Sequence, residues 1–560
     1  MNANVHDHAY RSGAEHNIYE MKFRRKFSVN PYKTLQMKQA EMSFYKDWLN
    51  TDRGDPYPVT DRAGEGSLTE KTADRYFTAE NVSAASAAEA RLLGQHFPYN
   101  TYELVLRDLQ NGAAGFVIYA APGDRSSYTE ETAPKLRVYL VRADENVKIG
   151  HELIVGGASQ GAVLEEAEYP YVPGMSLIVT CRGQFFDVYI RDDKKPFPRL
   201  TLNLAQFGHI QKHATFVNAY ASLWYDLQPG GRFVTDTVQA YLDGGVSHAD
   251  MKPVRYEDGM PIISDGKLFM TMSSRLEAGG YQSVISWNPS TCEFKLEGAI
   301  FFDCGDDRWC ADVGSSILYN RYTNEWLIWS VSFSHGHILC HGKSIADLRY
   351  GINVVDVQLM ECEQTAESSG DTLGQQAGVD KSFKASLSDD RLWLAKTGDE
   401  DPDFVYDKER DKWYMTICRC VTEEGKSNYR YFLYESDEPF SGFKFLDKTL
   451  TGANTGGSII RIGGKLYFTC GSRFDARAQY NVYDLFDFSK HDFIHCDFDD
   501  GGFRGWGTVI PVPCGSRTKY MWMTFDRHGG STYNWSYGNL YVYESDLMNS
   551  GYERGISYNL

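Results

Sequence analysis

The chain of 560 residues lacks the features that mark several broad classes of protein. No apolar run approaches the roughly 20 residues that a membrane-spanning helix needs. The N-terminus, MNANVHDHAYRSGAEHN, lacks the basic start and apolar centre of a secretory signal. Basic residues are in deficit: 57 Lys and Arg face 75 Asp and Glu, a net charge of −18 that repels a nucleic-acid backbone. We therefore expect a cytoplasmic protein whose partners are neither membranes nor nucleic acids.

Cysteine motifs are missing as well. The 11 cysteines are odd in number and form no CxxC pair, which argues against a disulfide framework and against a zinc ribbon. Most are expected to be buried thiols that pack as small apolar groups. No metal or cofactor is predicted, and only a structural calcium ion held by acids is left open.

Long segments with apolar residues at helical spacing are scarce, whereas aromatic residues reach 14% of the chain. Short alternating runs recur instead, and each follows a polar turn of the kind that a hairpin needs. Five of them share one pattern: KLFMTMSS, EWLIWSVS, KWYMTICR, KLYFTCGS and KYMWMTFD. An all-β protein built on a repeated hairpin follows.

The five runs also share their upstream context, an entry residue followed by an apolar strand. The entries taken as equivalent are Asp250, Asp312, Asp401, Gly456 and Trp506. The longest interval between entries contains the polar stretch ECEQTAESSGDTLGQQAGVD, which has the composition of an inserted loop. With about four strands per unit, residues 245–548 predict a five-bladed β-propeller. Seven blades would need roughly 40–45 residues each, less than the observed period.

The remaining segments differ in character. Residues 67–240 alternate without the repeated entry, and pairs such as SLIVTCRGQFFDVYIRDD need a second sheet to cover their apolar face, which predicts an N-terminal β-sandwich. Residues 1–66 are assigned to an arm, in which QMKQAEMSFYKDWLN predicts a helix. Residues 549–560 are assigned to a C-terminal tail.

Chemistry in a propeller is expected where the innermost strands converge on the central axis. Three of the five entries carry acids: Asp250, Asp312 and the cluster Asp399, Glu400, Asp401 and Asp403. Any one of them alone is a common turn residue that shapes a loop. Three acids at one register of a repeat favour a shared site, because a turn needs only Gly, Ser or Asn.

These residues resemble a known group of enzymes. An acid in the first strand of successive blades, with A-D in the first and second and E-D-P in the third, resembles the five-bladed β-propeller glycoside hydrolases, the furanosidase, xylosidase and fructosidase assembly. The resemblance covers the propeller and implies a base or nucleophile at Asp250, a supporting carboxylate at Asp312, and a proton donor at Glu400 or Asp401. A concanavalin-like sandwich is a familiar companion of such propellers.

The fourth blade departs from this pattern. Many xylosidase and arabinosidase relatives carry their acid there as E-G-P, whereas this chain reads T-G-G-S over 455–458. An acid in the third blade is closer to the fructosidase-like arrangement, and the identity of the sugar stays open.

Other side chains near the entries are candidates for sugar contacts. Guanidinium groups bind carboxylates and vicinal hydroxyls, and aromatic rings stack on the apolar face of a sugar. The candidates are His248, Arg308, Trp309, Arg473, Trp506, His528 and Trp535. Surface ion pairing and core packing explain an arginine or an aromatic residue equally well when it is taken alone.

The sequence thus predicts a glycoside hydrolase that cleaves oligosaccharides with a carboxylate pair in the propeller funnel; homo-oligomerisation is left open. Two alternatives remain. A polysaccharide lyase acting on uronates would use His, Tyr or Arg, and histidines lie near several loops, among them His335, His337 and His341. A carbohydrate-binding protein without catalysis would use the same acids as ligands.

Overall fold

A computed structural model describes most of the chain. The described residues are 17–29, 36–42, 59–63, 68–73, 76–92, 96–120, 133–191, 198–207, 219–245, 247–276, 279–305, 307–332, 338–360, 399–423, 426–450, 454–472, 480–496, 507–515, 517–525 and 539–549. They divide into two compact units. The propeller unit comprises Met1–Leu35, Gly244–Asp306 and Cys310–Leu560, and the sandwich unit comprises Gln36–Asp243 and Asp307–Trp309.

Strands account for nearly all regular structure, as the sequence predicts. The helices among the described residues are two 3-10 turns, Ile18–Glu20 and Ala205–Phe207. No helix in this part of the chain has the length and apolar character required to cross a bilayer.

The first strand, β1 (Lys22–Val29), belongs to the propeller unit, and the next thirteen form the single sheet of the sandwich unit. These are β2 (Gln36–Met42), β3 (Val59–Ala63), β4 (Leu68–Ala73), β5 (Tyr76–Asn81), β6 (Ser86–Arg91), β7 (Asn100–Tyr119), β8 (Lys135–Ala143), β9 (Asn146–Val155), β10 (Ala158–Pro170), β11 (Met175–Arg182), β12 (Phe185–Arg191), β13 (Leu200–Asn203) and β14 (Tyr220–Asp243). The helix predicted from QMKQAEMSFYKDWLN is wrong in its first half, because Gln36–Met42 is a strand that pairs with β14.

Two long strands, β7 and β14, pair along most of their length and are shared by both halves of the sandwich sheet. The first half of β7 pairs with β11, and its second half pairs with β8. Shifts of register along the β7–β14 ladder mark bulges, which bend a strand. Strands β8 and β11 from the two halves contact each other, so the sheet folds over on itself as a sandwich.

The propeller unit contains β1 and all later strands. These are β15 (Ser247–Pro253), β16 (Arg255–Tyr256), β17 (Ile263–Ser264), β18 (Lys267–Leu276), β19 (Gly279–Asn288), β20 (Glu293–Asp303), β21 (Val313–Asn320), β22 (Glu325–Ser332), β23 (Ile338–Ser344), β24 (Gly351–Leu359), β25 (Asp399–Asp407), β26 (Lys412–Glu423), β27 (Lys426–Ser436), β28 (Lys444–Lys448), β29 (Asn454–Ile462), β30 (Lys465–Ser472), β31 (Asn481–Asp484), β32 (Asp487–Phe493), β33 (His495–Cys496), β34 (Gly507–Cys514), β35 (Arg517–Phe525), β36 (Leu540–Glu544) and β37 (Met548–Asn549).

These strands form five blades of four strands each. In order they are β15-β18-β19-β20, β21-β22-β23-β24, β25-β26-β27-β28, β29-β30-β31-β32 and β34-β35-β36-β1. The five repeated runs of the sequence are the second strands, β18, β22, β26, β30 and β35. The innermost strands contact one another in turn, and β34 contacts β15, which closes the ring. The prediction of a five-bladed propeller is confirmed.

The ring is completed by the N-terminal end of the chain. Strand β1 pairs antiparallel with β36 and serves as the fourth strand of the fifth blade. Its Phe23 is buried, with its ring centroid 6.3 Å from that of Trp522. Sequence analysis assigned this segment to an arm over 1–66. Pairing the last blade with the start of the chain removes an exposed sheet edge, which is the physical reason for the arrangement.

Aromatic side chains fill the spaces between blades. Trp329 of the second blade stacks on Phe404 of the third, with ring centroids 4.0 Å apart and both side chains buried. Such inter-blade cores hold the innermost strands at fixed distances around the axis. Any side chain that points inward from those strands is therefore held on a rigid scaffold.

Candidate active site

Four of the five innermost strands carry a β-bulge at the same place. Each bulge contains a residue with positive φ: Asp250 (53°), Gly314 (77°), Asp401 (50°) and Gly456 (63°). The register shifts that define the bulges lie in β15, β21, β25 and β29. A bulge re-aims the side chain that it carries and is favoured next to active sites. Positive φ is uncommon for residues other than glycine, so the two aspartates occupy strained positions.

The positions of the bulges show which entry residues of the different blades are equivalent. Asp250 and Asp401 share the bulge position, as the sequence predicts. Asp312 does not, because Gly314 is the bulge residue of the second blade and Asp312 lies two residues before it. The interpretation of three acids at one register is therefore wrong for Asp312, whose equivalent in the third blade is Asp399.

Asp401 is the buried member of the central pair, with 7% of its surface exposed. Its Oδ2 accepts hydrogen bonds from the backbone N–H of Gly456 at 3.0 Å and from the Thr455 hydroxyl at 3.1 Å. Burial raises the pKa of the Asp401 carboxyl above its usual range, and the negative charge of Asp250 raises it further. This carboxyl therefore retains a proton to higher pH than an ordinary aspartate.

Asp250 is partly exposed and lies on the other side of the second-blade bulge. Its Oδ2 accepts a 2.7 Å hydrogen bond from the hydroxyl of Ser273, and the N–H of Gly314 donates to that hydroxyl at 3.3 Å. A Cβ atom on Gly314 would stand 3.2 Å from Oδ1 of Asp401. Gly314 thus approaches Asp401 directly and is linked to Asp250 through the Ser273 hydroxyl, and its lack of a side chain leaves space beside Oδ1 of Asp401.

Buried charged groups accompany the pair: Asp403, which the sequence pattern includes, and the cations Arg255 and Lys252, which it does not. Asp403 is fully buried, forms an ion pair with Arg255 and accepts hydrogen bonds from Ser316 Oγ at 2.6 Å and the N–H of Ile459 at 2.5 Å. Lys252 is 1% exposed, and burial lowers the pKa of its ammonium group. The signal was available, since Lys252 and Arg255 are the basic residues of the otherwise apolar run MKPVR.

Asp312 and Asp399 occupy the equivalent position two residues before the bulge, and both are buried. The Ser332 hydroxyl donates a 2.7 Å hydrogen bond to Oδ2 of Asp312. Asp399 instead accepts two hydrogen bonds from Arg419, at 2.8 and 3.3 Å. The two equivalent acids thus have different hydrogen-bond donors, a hydroxyl for Asp312 and a guanidinium that neutralises the charge of Asp399.

The remaining predicted residues divide into four groups. Glu400 is partly exposed beside Asp401. His248 is buried, which lowers its pKa to about 4 and keeps it neutral near neutral pH. Arg308 and Trp309 belong to the sandwich unit, where the Trp309 ring lies 5.5 Å from that of Phe97. The candidates that lie outside the described residues are Arg473, Trp506, His528 and Trp535, together with His335 and His337.

Metal binding receives no support from the described parts of the chain, in which no three His, Cys, Asp or Glu side chains are arranged to hold an ion. His341, one of the lyase candidates, is half-buried against Phe440, with ring centroids 4.3 Å apart, and burial lowers its pKa to about 4.

Several propeller enzymes of known structure are distantly similar to this chain. No family model matches the sequence, and no curated protein matches it either. Bacillus subtilis levansucrase aligns over 56% of this chain and 89% of its own, with 12% identity and a TM-score of 0.37. An α-L-arabinofuranosidase from Podospora anserina covers 55% and 93% (9% identity, TM-score 0.32). A GH43 β-1,3-galactosidase covers 55% and 99% (11% identity, TM-score 0.33). Similarity at this level assigns neither a family nor an activity to the chain.

Proposed function

We propose that the protein is a glycoside hydrolase whose catalytic carboxylates are Asp250 and Asp401. The observation that carries the proposal is their shared position: both sit on the bulge of an innermost strand, in the first and third blades, on either side of the second blade and its bulge glycine, Gly314. The charge of one acts on the other, as the raised pKa of Asp401 indicates. Cleavage of an acetal needs one protonated and one ionised carboxyl group together.

The two environments support a division of roles. Asp401 is buried and retains its proton, so it is assigned the proton donor to the leaving oxygen. Asp250 is partly exposed and is held by the Ser273 hydroxyl, so it is assigned the base or nucleophile at the anomeric carbon. Asp312, buried in the neighbouring blade, is assigned a supporting electrostatic role.

An oligosaccharide is the proposed substrate class, because the paired-carboxylate chemistry is that of glycosidic bonds. A panel of aryl glycosides, followed by plant and microbial oligosaccharides, identifies the sugar. The anomeric configuration of the first product, read by NMR, then distinguishes a nucleophilic from a general-base role for Asp250.

Three variants test the proposal. In Asp250→Asn and Asp401→Asn, the rate of release of reducing sugar is expected to fall at least about a hundredfold. That factor is the low end of what a general acid or base contributes. Asp447→Asn is the matched control, because Asp447 is exposed on β28, the outermost strand of the third blade. Full activity in both active-site variants contradicts the carboxylate mechanism.

The variant Glu400→Gln distinguishes the two candidate proton donors. If Glu400→Gln loses activity while Asp401→Asn retains it, Glu400 is the proton donor. An unsaturated uronate product, detected by its ultraviolet absorbance, indicates the lyase alternative. Sugar binding without any product over long incubation indicates a binding protein.

A further inference from the structure

Lys252 connects the bulges that carry and separate the two carboxylates. Its Nζ donates a 2.5 Å hydrogen bond to the carbonyl of Pro402, the residue that follows Asp401, and a 3.5 Å hydrogen bond to the carbonyl of Gly314. The side chain starts on β15, two residues after Asp250, and ends on bulges of the second and third blades. One ammonium group therefore ties three blades together directly beneath the candidate site.

The charges around Lys252 do not cancel. Asp403 and Asp401 on β25, Asp250 on β15 and Arg255 on β16 all act on it. The guanidinium of Arg255 forms an ion pair with Asp403, and the positive charge of Lys252 acts on Asp401. Hydroxyl groups of neighbouring strands donate to the same acids: Ser273 to Asp250, Ser316 to Asp403 and Thr455 to Asp401. The acids also act on two tyrosines, Asp401 on Tyr431 and Asp403 on Tyr480. Among the described residues whose charges act on Lys252, carboxylates therefore outnumber cations.

We propose that Lys252 is a positioning residue that sets the protonation state of the Asp250–Asp401 pair and holds the two bulges in place, an inference that rests on the proposed function. A lysine with 1% of its surface exposed does not reach a substrate, so its effect is exerted through the carboxylates. Its positive charge favours ionisation of the Asp401 carboxyl and so opposes the effects of burial and of the Asp250 charge, which raise the pKa of that group.

A lysine that acts only as a structural link makes a different prediction from one that sets protonation. Loss of a link lowers stability and the activity at the optimum, but leaves the pH dependence of kcat/KM unchanged. Loss of the charge moves the high-pH limb of the bell-shaped profile, which the proton donor Asp401 sets, to higher pH, because an acid next to less positive charge keeps its proton longer.

The kinetic experiment uses Lys252→Met, which removes charge and donor, and Lys252→Gln, which keeps a donor without the charge. Both are expected to shift the high-pH limb upward by about one to three pH units, the range for a neighbouring charge. Thr271→Val is the control, because the buried Thr271 hydroxyl donates to Ser315 O at 2.9 Å and so also ties the first blade to the second-blade bulge without carrying charge. The pH profile of kcat/KM is expected to stay in place in Thr271→Val. If the high-pH limb of that profile also stays in place in Lys252→Gln, the proposal is wrong, even if Lys252→Met does not fold.

A second experiment does not depend on activity and so separates failure of this inference from failure of the proposed function. The rise in Tm caused by Asp401→Asn at pH 7 is measured in the wild-type and in the Lys252→Gln background. It is expected to be larger in Lys252→Gln, because ionised Asp401 has lost its compensating charge, and the excess is expected to shrink as the pH is lowered. Equal rises in both backgrounds at every pH show that Lys252 does not act on Asp401, whatever the enzyme cleaves.

Discussion

The N–H of Gly456 donates a 3.0 Å hydrogen bond to Oδ2 of Asp401, so the bulge of the fourth blade holds the carboxylate that the bulge of the third blade presents. A buried carboxylate that has a strained backbone φ and lies close to a second carboxylate lowers the stability of the folded protein.

Replacing Asp401 with asparagine is expected to raise Tm at neutral pH. The folded-state pKa of Asp401 lies above the ordinary value of 3.8, so the fold favours the protonated form. The associated stability is present below the ordinary value and is lost as the pH rises through the folded-state pKa. Thermal melts of Asp401→Asn and wild type from acidic to neutral pH should therefore diverge as the pH rises. A constant difference across that range contradicts the assignment.

Replacing Gly314 with alanine is expected to impair both stability and activity. An alanine with φ of +77° costs about 1–2 kcal/mol, and its Cβ would press on Oδ1 of Asp401. Gly266→Ala is the matched control, since Gly266 has φ of +71° with nothing within 4 Å of the added Cβ. Urea titrations should show similar losses of unfolding free energy, whereas kcat should fall in Gly314→Ala alone. Equal kcat values argue that Gly314 does not space the carboxylates.

Breaking the buried pair of Arg419 and Asp399 is expected to be strongly destabilising. Both side chains are almost completely buried, so Arg419→Met leaves a carboxylate without its compensating charge and should cost about 3–5 kcal/mol. The double variant Arg419→Met/Asp399→Asn removes both charges and should recover much of the loss in a denaturant titration. A double variant no more stable than the single one indicates that packing, not charge, explains the loss.

Truncating Phe23 is expected to loosen the closure of the ring. Phe23 is 1% exposed, and Phe23→Ala should lower the unfolding free energy by about 3–5 kcal/mol. Arg24 is the neighbouring residue on the exposed face of β1, and Arg24→Ala should change stability by less than about 0.5 kcal/mol. Limited proteolysis near the fifth blade gives an independent measure of the same loosening.

The fold was largely readable from the sequence because each second strand repeats one pattern of alternation after a polar turn. The entry acids Asp250 and Asp401 were found by that same repeat. Asp312 was misaligned because the bulge residue of the second blade is Gly314, and the acid that the sequence offers there lies two residues earlier. The blade strand Lys22–Val29 was missed because its partner, Leu540–Glu544, lies at the other end of the chain.

The buried cations beneath the site were missed for a different reason. Single basic residues inside a strand normally indicate a solvent-facing side, and only the three-dimensional ring brings Lys252 and Arg255 against carbonyls and carboxylates of other blades. A charged residue within an apolar innermost strand therefore indicates a buried ion.

The long separation in sequence between β1 and its partner strand imposes an order on biosynthesis. Lys22–Val29 leaves the ribosome long before its partner Leu540–Glu544 is made. At about 5–20 residues per second, β1 remains unpaired for tens of seconds. A nascent chain that has not yet reached Leu540–Glu544 therefore carries an open sheet edge that chaperones or proteases can recognise, and the ring closes only after that strand has been made.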